Sequence, residues 1–338
     1  MDNLIANFTT QIKEALQIGR EAQLNKPEIE IKNVLVSGLG GSGIGGNLVQ
    51  QIVSENIKIP YNVNKEYSLP AYISENSLVI ISSYSGNTEE TLSAFTKALN
   101  ANAKIVCVSS GGRVIEIAKE KRLDHILIPG GMPPRTCLAY SFIQQLFILK
   151  RYGLIDIDFE SQLENTITLL DENENDIKVQ ANEISNKICE MHPMIYVCSD
   201  METVAVRFRQ QLNENSKMLA CHHVIPEMNH NELVGWRSKD DSIAVILFRN
   251  ENDFDRNQQR IEICKEIFSE YTNTIIELWS KGNSFIERAI YLIHLGDWIS
   301  YYNAINRQVD AIEVNVIDRL KGELAKSEVV LEQPATEA

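Results

Sequence analysis

The chain has 338 residues, 44% of them hydrophobic and 23% charged, with 17 Gly and 9 Pro; this fits a globular protein with two cores and excludes disordered, collagenous and disulfide-scaffold classes. Its 32 Lys plus Arg against 46 Asp plus Glu give a formal net charge of −14, a field that repels nucleic acid and anionic lipid. No nucleic-acid or membrane partner is expected, and any anionic ligand must be held by local dipoles and a few placed cations.

The six cysteines (Cys107, Cys137, Cys189, Cys198, Cys221, Cys264) form no CxxC, and several lie in apolar runs, so they read as reduced, buried thiols of a cytoplasmic protein. The opening MDNLIANFTTQIKEAL lacks the uninterrupted apolar core of a secretion signal, and no later run approaches the ~18 apolar residues of a membrane span.

In chain order, an amphipathic helix is expected over residues 4–23, then strands at 33–37, 57–63, 78–82, 104–108 and 125–128 alternating with helical patterns. That alternation indicates a parallel sheet covered by helices. A mostly buried helix spans 136–152 and stops before Gly153, and the polar stretch 156–190 reads as an exposed linking helix or helix pair. A second α/β set begins at Met194 with MIYVCS, followed by a helix over 202–212 and strands at 242–248 and 274–278. A last helical region, 284–325, is broken around Val309. The predicted organisation is therefore two doubly wound domains with flanking helices, 1–153 and 154–330, and a loose tail at 331–338.

Two loops could hold phosphate. GLGGSGIGG, from Gly38 to Gly46, contains GxGxxG between a strand and a helix, and Ser42 adds a hydroxyl at its centre. Glycines admit a ligand close to the backbone and a helix N-terminus offers unpaired N–H groups, which suits a phosphate monoester; a tight turn without a ligand would need the same glycines. A dinucleotide site would also require an acid at the end of the second strand, where the chain reads IKIPYNVN. The second loop, SSYSGNTEET, sets Ser82, Ser83, Ser85, Asn87 and Thr88 at the start of another helix. Ordinary capping by Ser85 or Asn87 would use one or two of these hydroxyls and amides, fewer than are present. Arg135 follows GGMPP, where two prolines fix the chain and a guanidinium can serve an oxyanion, although in isolation it matches a surface arginine equally well.

Groups able to move protons concentrate in NENSKMLACHHVIPEMNHNELVGW, where Glu214 follows an apolar helix and His230 stands between asparagines in a loop near a sheet edge. His222, His223, Glu227, His230 and Glu232 are potential metal ligands, but the second ligand pair of a dinuclear site is missing and HExxH does not occur, so no metal is expected. GxSxG is absent, and no cysteine carries a nucleophile signature.

Taken together, GLGGSGIGG, SSYSGNTEET, GGMPPR, NENSK, PEMNHNE and IDRLKGEL, in this order over about residues 34–324, resemble the bifunctional phosphoglucose/phosphomannose isomerases of the sugar isomerase (SIS) superfamily. The resemblance implies two SIS-type, flavodoxin-like domains and a sugar-phosphate substrate, with no metal or redox cofactor. It implies that Gly41, Ser42, Ser83, Ser85 and Thr88 bind the sugar phosphate and that Arg135 lies near the reacting carbons. Glu214 then matches the base, His230 the ring-opening histidine and Lys321 the lysine of the C-terminal helix; without the resemblance Lys321 reads as a solvated helix lysine. A homodimer is implied, with His230 supplied to the partner subunit's site. Many relatives carry a DPTPV-like segment shortly before that lysine; here the stretch is Asp310, Ala311, Ile312, Glu313, Val314, with a bulkier Ile312 in place of threonine. Two other readings compete: a non-catalytic sugar-phosphate sensor, which would not need Glu214, His230 and Lys321 together, and an NAD-dependent oxidoreductase, against which the missing acid argues.

Overall fold

Runs of β-branched residues bounded by glycine, serine and asparagine become strands buried on both faces, as a parallel sheet between two helical layers requires. In the computed structural model, which describes residues 1–326, the chain opens with α1 (Asp2–Ala6) and α2 (Phe8–Glu21). There follow β1 (Asn33–Ser37), α3 (Gly40–Val53), β2 (Tyr61–Asn64), β3 (Ser77–Ser82), α4 (Glu89–Asn100), β4 (Lys104–Ser109), α5 (Gly112–Glu120), β5 (Asp124–Leu127) and α6 (Leu138–Arg151). The long α7 (Phe159–Ile188) leads to β6 (His192–Cys198), α8 (Glu202–Glu214), β7 (Cys221–Ile225), β8 (Ile243–Arg249), α9 (Asp255–Ser269), β9 (Thr274–Trp279), α10 (Phe285–Asn306) and α11 (Asn315–Leu324).

The chain divides into two units. The N-terminal unit holds residues 8–160 and α11, and the C-terminal unit holds residues 1–7 and 161–314. The sequence placed the division near 153 and kept each terminus with its own half; instead the two terminal segments change sides, because spatial packing rather than chain proximity decides membership. The tail expected at 331–338 lies outside the described residues.

In the N-terminal unit five parallel strands run in the order β2-β1-β3-β4-β5, with Leu35 opposite Asn62 on one side and Val79 on the other. One face is filled by Leu35, Val79, Ile81, Phe95 and Cys107, all buried. Elsewhere in this unit α6 packs on α2 and α3. Gly19 permits the α2 contact, since a Cβ there would meet the Phe147 ring at 1.9 Å. Gln11 satisfies both its amide groups across the α2–α6 contact, donating to the Thr136 carbonyl at 2.7 Å and accepting the Ala139 N–H at 3.0 Å.

The C-terminal unit has a four-stranded parallel sheet ordered β7-β6-β8-β9, cored by Tyr196, Ile225, Val245, Leu247 and Phe268. Both sheets are doubly wound, so the expected fold class stands. Differences lie in the elements. The opening helix is interrupted at Asn7, the stretch 156–190 forms one 30-residue helix, and the strand near 57–63 is confined to Tyr61–Asn64. CHHVI, where no strand was expected, is the edge strand β7. The cysteines are all free, but Cys221 is exposed and Cys189 half-buried, in contrast to the burial expected of all six.

Candidate active site

β1 and β3 are neighbours in the sheet, and the chain leaves their C-terminal ends in opposite directions, to β2 on one side and to β4 on the other. Such a switch point leaves a crevice at the strand ends, the usual ligand position of an open α/β sheet. α3 and α4 start there, and neither helix N-terminus receives a side-chain cap from its N-cap residue, Leu39 or Thr88.

The glycines of the first loop are needed for backbone packing. A Cβ at Gly38 would lie 2.5 Å from the Ser82 carbonyl oxygen, at Gly41 2.9 Å from that of Pro134, and at Gly43 2.6 Å from that of Gly38. Gly40 has φ +53° and faces open space, so its glycine serves the left-handed conformation at the helix entrance. Within this frame Ser42 is 7% exposed, and its Oγ accepts the Tyr84 N–H at 3.2 Å, which ties the two loops together and leaves the hydroxyl proton to donate.

The second loop is pinned from within. Ser83 Oγ accepts the Gly86 N–H at 3.2 Å and shares a hydrogen bond with the Thr88 hydroxyl at 3.0 Å. Exposed Ser85 accepts the Asn87 N–H at 3.3 Å. Thr88, at the N-cap position of α4, thus pairs its hydroxyl with that of Ser83, while Asn87 Oδ1 accepts the Arg113 N–H at 2.9 Å in the first turn of α5 rather than capping α4. Tyr84 accepts the Met132 N–H at 3.1 Å through its phenol oxygen, bringing in the segment that ends in Arg135. Burial, helped by Cys137, pushes the Tyr84 hydroxyl up to about 12, so it remains neutral.

Arg135 lies in the 3-10 turn Pro134–Thr136 and is only 5% exposed, which separates it from a surface arginine. The turn packs on the start of α3, where the ideal Cβ of Gly41 would be 3.8 Å from Arg135 Cα. Gly41, Ser42, Ser83, Ser85, Thr88 and Arg135 therefore gather at one edge of one sheet. Lys321 belongs to the same unit, exposed on α11.

Glu214 and His230 belong to the C-terminal unit. Glu214 is the last residue of α8 rather than a loop residue beyond it, and it is half-buried. α8 is fastened to α10 by Arg207, whose guanidinium donates to Asp297 at 2.6 Å, and by Gln211, which donates to the same carboxylate at 3.0 Å. Just beyond, Asn215 donates to Ser300 Oγ at 2.9 Å, and Lys217, with φ +54°, turns its ammonium back onto the Glu214 and Glu313 carbonyls at 2.6 and 2.9 Å. The carbonyl at the end of α8 is thereby satisfied and the Glu214 backbone fixed.

His230 is exposed in the one-turn 3-10 helix Glu227–His230 that follows β7. The neighbouring acids and histidines pair with protein groups: His223 Nδ1 meets Glu232 at 2.8 Å, the Tyr196 hydroxyl donates to Glu232 at 2.6 Å, and Asn231 donates to Glu227 at 2.8 Å. Burial, with Arg209 nearby, holds the His222 pKa below the usual histidine value. Among the described residues Cys198, Asp200 and Asp253 bring three possible donor atoms within 4.8 Å of one another, a grouping not visible in the sequence. Tyr84, Lys217 and the Tyr196–Glu232–His223 chain also escaped sequence reasoning, since nothing in spacing alone announces them.

Hydroxyls and helix ends gathered at the strand ends of a doubly wound sheet fit the SIS class of α/β protein, and the family comparisons agree. Residues 29–149 match the SIS domain and residues 174–324 the bacterial phospho-glucose isomerase C-terminal SIS domain. The bifunctional phosphoglucose/phosphomannose isomerase of Caldicellulosiruptor bescii is 38% identical over 333 residues, 95% of this chain and 98% of that protein, and the enzyme of the same name from Aquifex aeolicus is 35% identical over 298 residues, 87% and 91% of the two chains. In fold, the C-terminal domain of glucosamine-fructose-6-phosphate aminotransferase from Francisella tularensis is similar, with TM-score 0.73 at 15% identity over 92% of this chain and 97% of that one. The chain belongs to the bifunctional phosphoglucose/phosphomannose isomerase family, and so to the isomerases. No described helix is long and apolar enough to cross a membrane.

Proposed function

We propose that the chain interconverts glucose 6-phosphate and mannose 6-phosphate with fructose 6-phosphate through a cis-enediol. The observation that carries the reading is the gathering of Ser42, Ser83, Thr88 and buried Arg135 beside two helix N-termini without side-chain caps. Hydroxyl protons and backbone N–H groups there suit a phosphate dianion in a chain whose overall charge would repel it.

The sugar enters mainly as a closed ring. His230 and Lys321 move the protons that open it, one taken from the anomeric hydroxyl and one given to the ring oxygen. Glu214 then removes the proton from C2 and returns it to C1, while the fixed positive charge of Arg135 stabilises the enediolate as it forms. The hydroxyl proton on O2 passes to O1 of the enediolate, which balances the exchange, and the route calls for no metal or cofactor. Glucose and mannose 6-phosphate share this enediol and differ in the face of C2 that receives the proton. A site that lets the C1–C2 unit turn about C2–C3 serves both, despite Ile312 in place of the relatives' threonine.

The working enzyme is a homodimer with His230 acting in the partner subunit's site. Val316, Ile317, Leu320 and Leu324 on α11 are exposed, 83%, 41%, 59% and 49%, an apolar stripe that association of two copies would cover.

The purified chain should convert fructose 6-phosphate to both aldose phosphates in the presence of a chelator, with C2-deuterium exchange into both in heavy water. Glu214→Gln should lower isomerisation by about 10²–10⁴-fold while phosphate-dependent binding persists. Substantial residual turnover would remove Glu214 from the role of base, and absence of conversion by the unmodified chain would favour a sugar-phosphate sensor.

A further inference from the structure

We infer that Glu232 is a positioning residue for the ring-opening histidine: it clamps the His230 turn to the C-terminal sheet through Tyr196 and His223. The inference rests on the proposed role of His230. That side chain is exposed and, among the described residues, has no hydrogen-bond or ion-pair partner, so its placement must come from the backbone on either side. On one side Met228 is fully buried in the core that contains Tyr196 and Phe268. On the other side Glu232, two residues after the histidine, is the first whose side chain is tied to the sheet.

Both oxygens of Glu232 are engaged. Oε1 accepts the Tyr196 hydroxyl at 2.6 Å and Oε2 pairs with His223 Nδ1 at 2.8 Å. Tyr196 and His223 are register partners on the adjacent parallel strands β6 and β7, so their side chains leave the sheet on the same face and reach one carboxylate together. Neither partner is loose. Tyr196 is 1% exposed and its ring stacks on Phe268 at 5.1 Å between centroids. Burial and the Glu232 carboxylate push its hydroxyl far above the usual tyrosine range, so it stays a donor at any working pH. The connection back to His230 is equally short. Asn231 Oδ1 accepts the Glu232 N–H at 2.6 Å while its Nδ2 donates to Glu227 at 2.8 Å, closing the turn that carries the histidine.

A general acid displaced by about 1 Å can lose on the order of 10²-fold in rate, so the clamp has a kinetic signature. Ring opening is read directly as anomerisation of glucose 6-phosphate, by exchange NMR at saturating substrate. Glu232→Ala and Tyr196→Phe should each slow anomerisation about tenfold or more with KM little changed. Glu232→Gln should keep most of the rate, because its amide can still accept from Tyr196 and donate to His223 Nδ1. Tyr196→Phe preserves the ring stacking, so the test survives if Glu232→Ala folds poorly.

The decisive measurement is the cycle with His230→Ala. If Glu232 acts through His230, the double variant anomerises no more slowly than His230→Ala alone. Losses that multiply would place Glu232 elsewhere and overturn the clamp. Unchanged anomerisation in His230→Ala would instead overturn the ring-opening role itself, and the clamp with it.

Discussion

Asp253 follows β8 with 4% exposure, next to Cys198 and Asp200, and its Oδ1 has no hydrogen-bond partner. Burial, reinforced by the Asp200 charge, raises its pKa from 3.8 to about 6. A carboxyl whose folded-state pKa exceeds the unfolded value costs stability whenever it is ionised in the fold. The penalty is full above pH 6, is relieved as pH falls through 6 because the native state takes up a proton first, and is gone below 3.8. Asp253→Asn should therefore stabilise the chain by about 1–3 kcal/mol at pH 8 and by much less near pH 4, read from urea midpoints. An equal gain at both pH values would mean that charge burial is not the cause. Residues of this kind are where sequence reasoning is weakest. Ser42, Ser83 and Thr88 stand out as candidates in the sequence because the hydroxyls at two strand-to-helix turns exceed what caps require. The burial of Arg135 and the pairing of Glu232 depend on contacts made by distant segments, which local sequence does not encode.

Among the elements, α8 shows how a structural pair serves a chemical group. Arg207 and Asp297 are buried, and their ion pair locks the helix that ends in Glu214 onto α10. Removing one partner leaves the other charge buried and uncompensated, so Asp297→Ala should destabilise by about 3–5 kcal/mol. Chemical denaturation at pH 7 measures this; a loss below about 1 kcal/mol would show that Arg207 finds other compensation. Strands β1, β3, β4 and β8, each located to within a residue or so, are buried along nearly all their length, so their apolar runs are continuous, and β9 was located as closely although only Leu278 in it is buried. β7 was missed for the complementary reason. At the sheet edge it buries only Ile225, and CHHVI carries too few apolar residues to distinguish a strand from a catalytic loop.

For the whole molecule, the proposed homodimer makes a test that no single subunit can mimic. Co-expressed Glu214→Gln and His230→Ala subunits are each inactive alone, yet every mixed dimer would contain one site with both groups intact. Random pairing should restore roughly a quarter of the wild-type sites, as follows for a two-fold dimer in which half the molecules are mixed. Verified mixed dimers without activity would place both residues in a site built from one chain. The two-domain plan itself was legible, since each half opens with a strand, a polar turn and a helix. The exchange of terminal segments was not, because nothing in the periodicity of residues 1–7 or of α11 names the unit they join.

That exchange sets an order of assembly. The five strands of the first sheet come early in synthesis, whereas α11, grouped with them, follows every strand of the second sheet in the chain. Lys321 rides on that late helix, so the loops proposed to hold phosphate are made well before the cation proposed to help open the sugar ring. On the role proposed for Lys321, a chain ended between Val314 and Lys321 should keep every strand of both sheets yet lose isomerase activity.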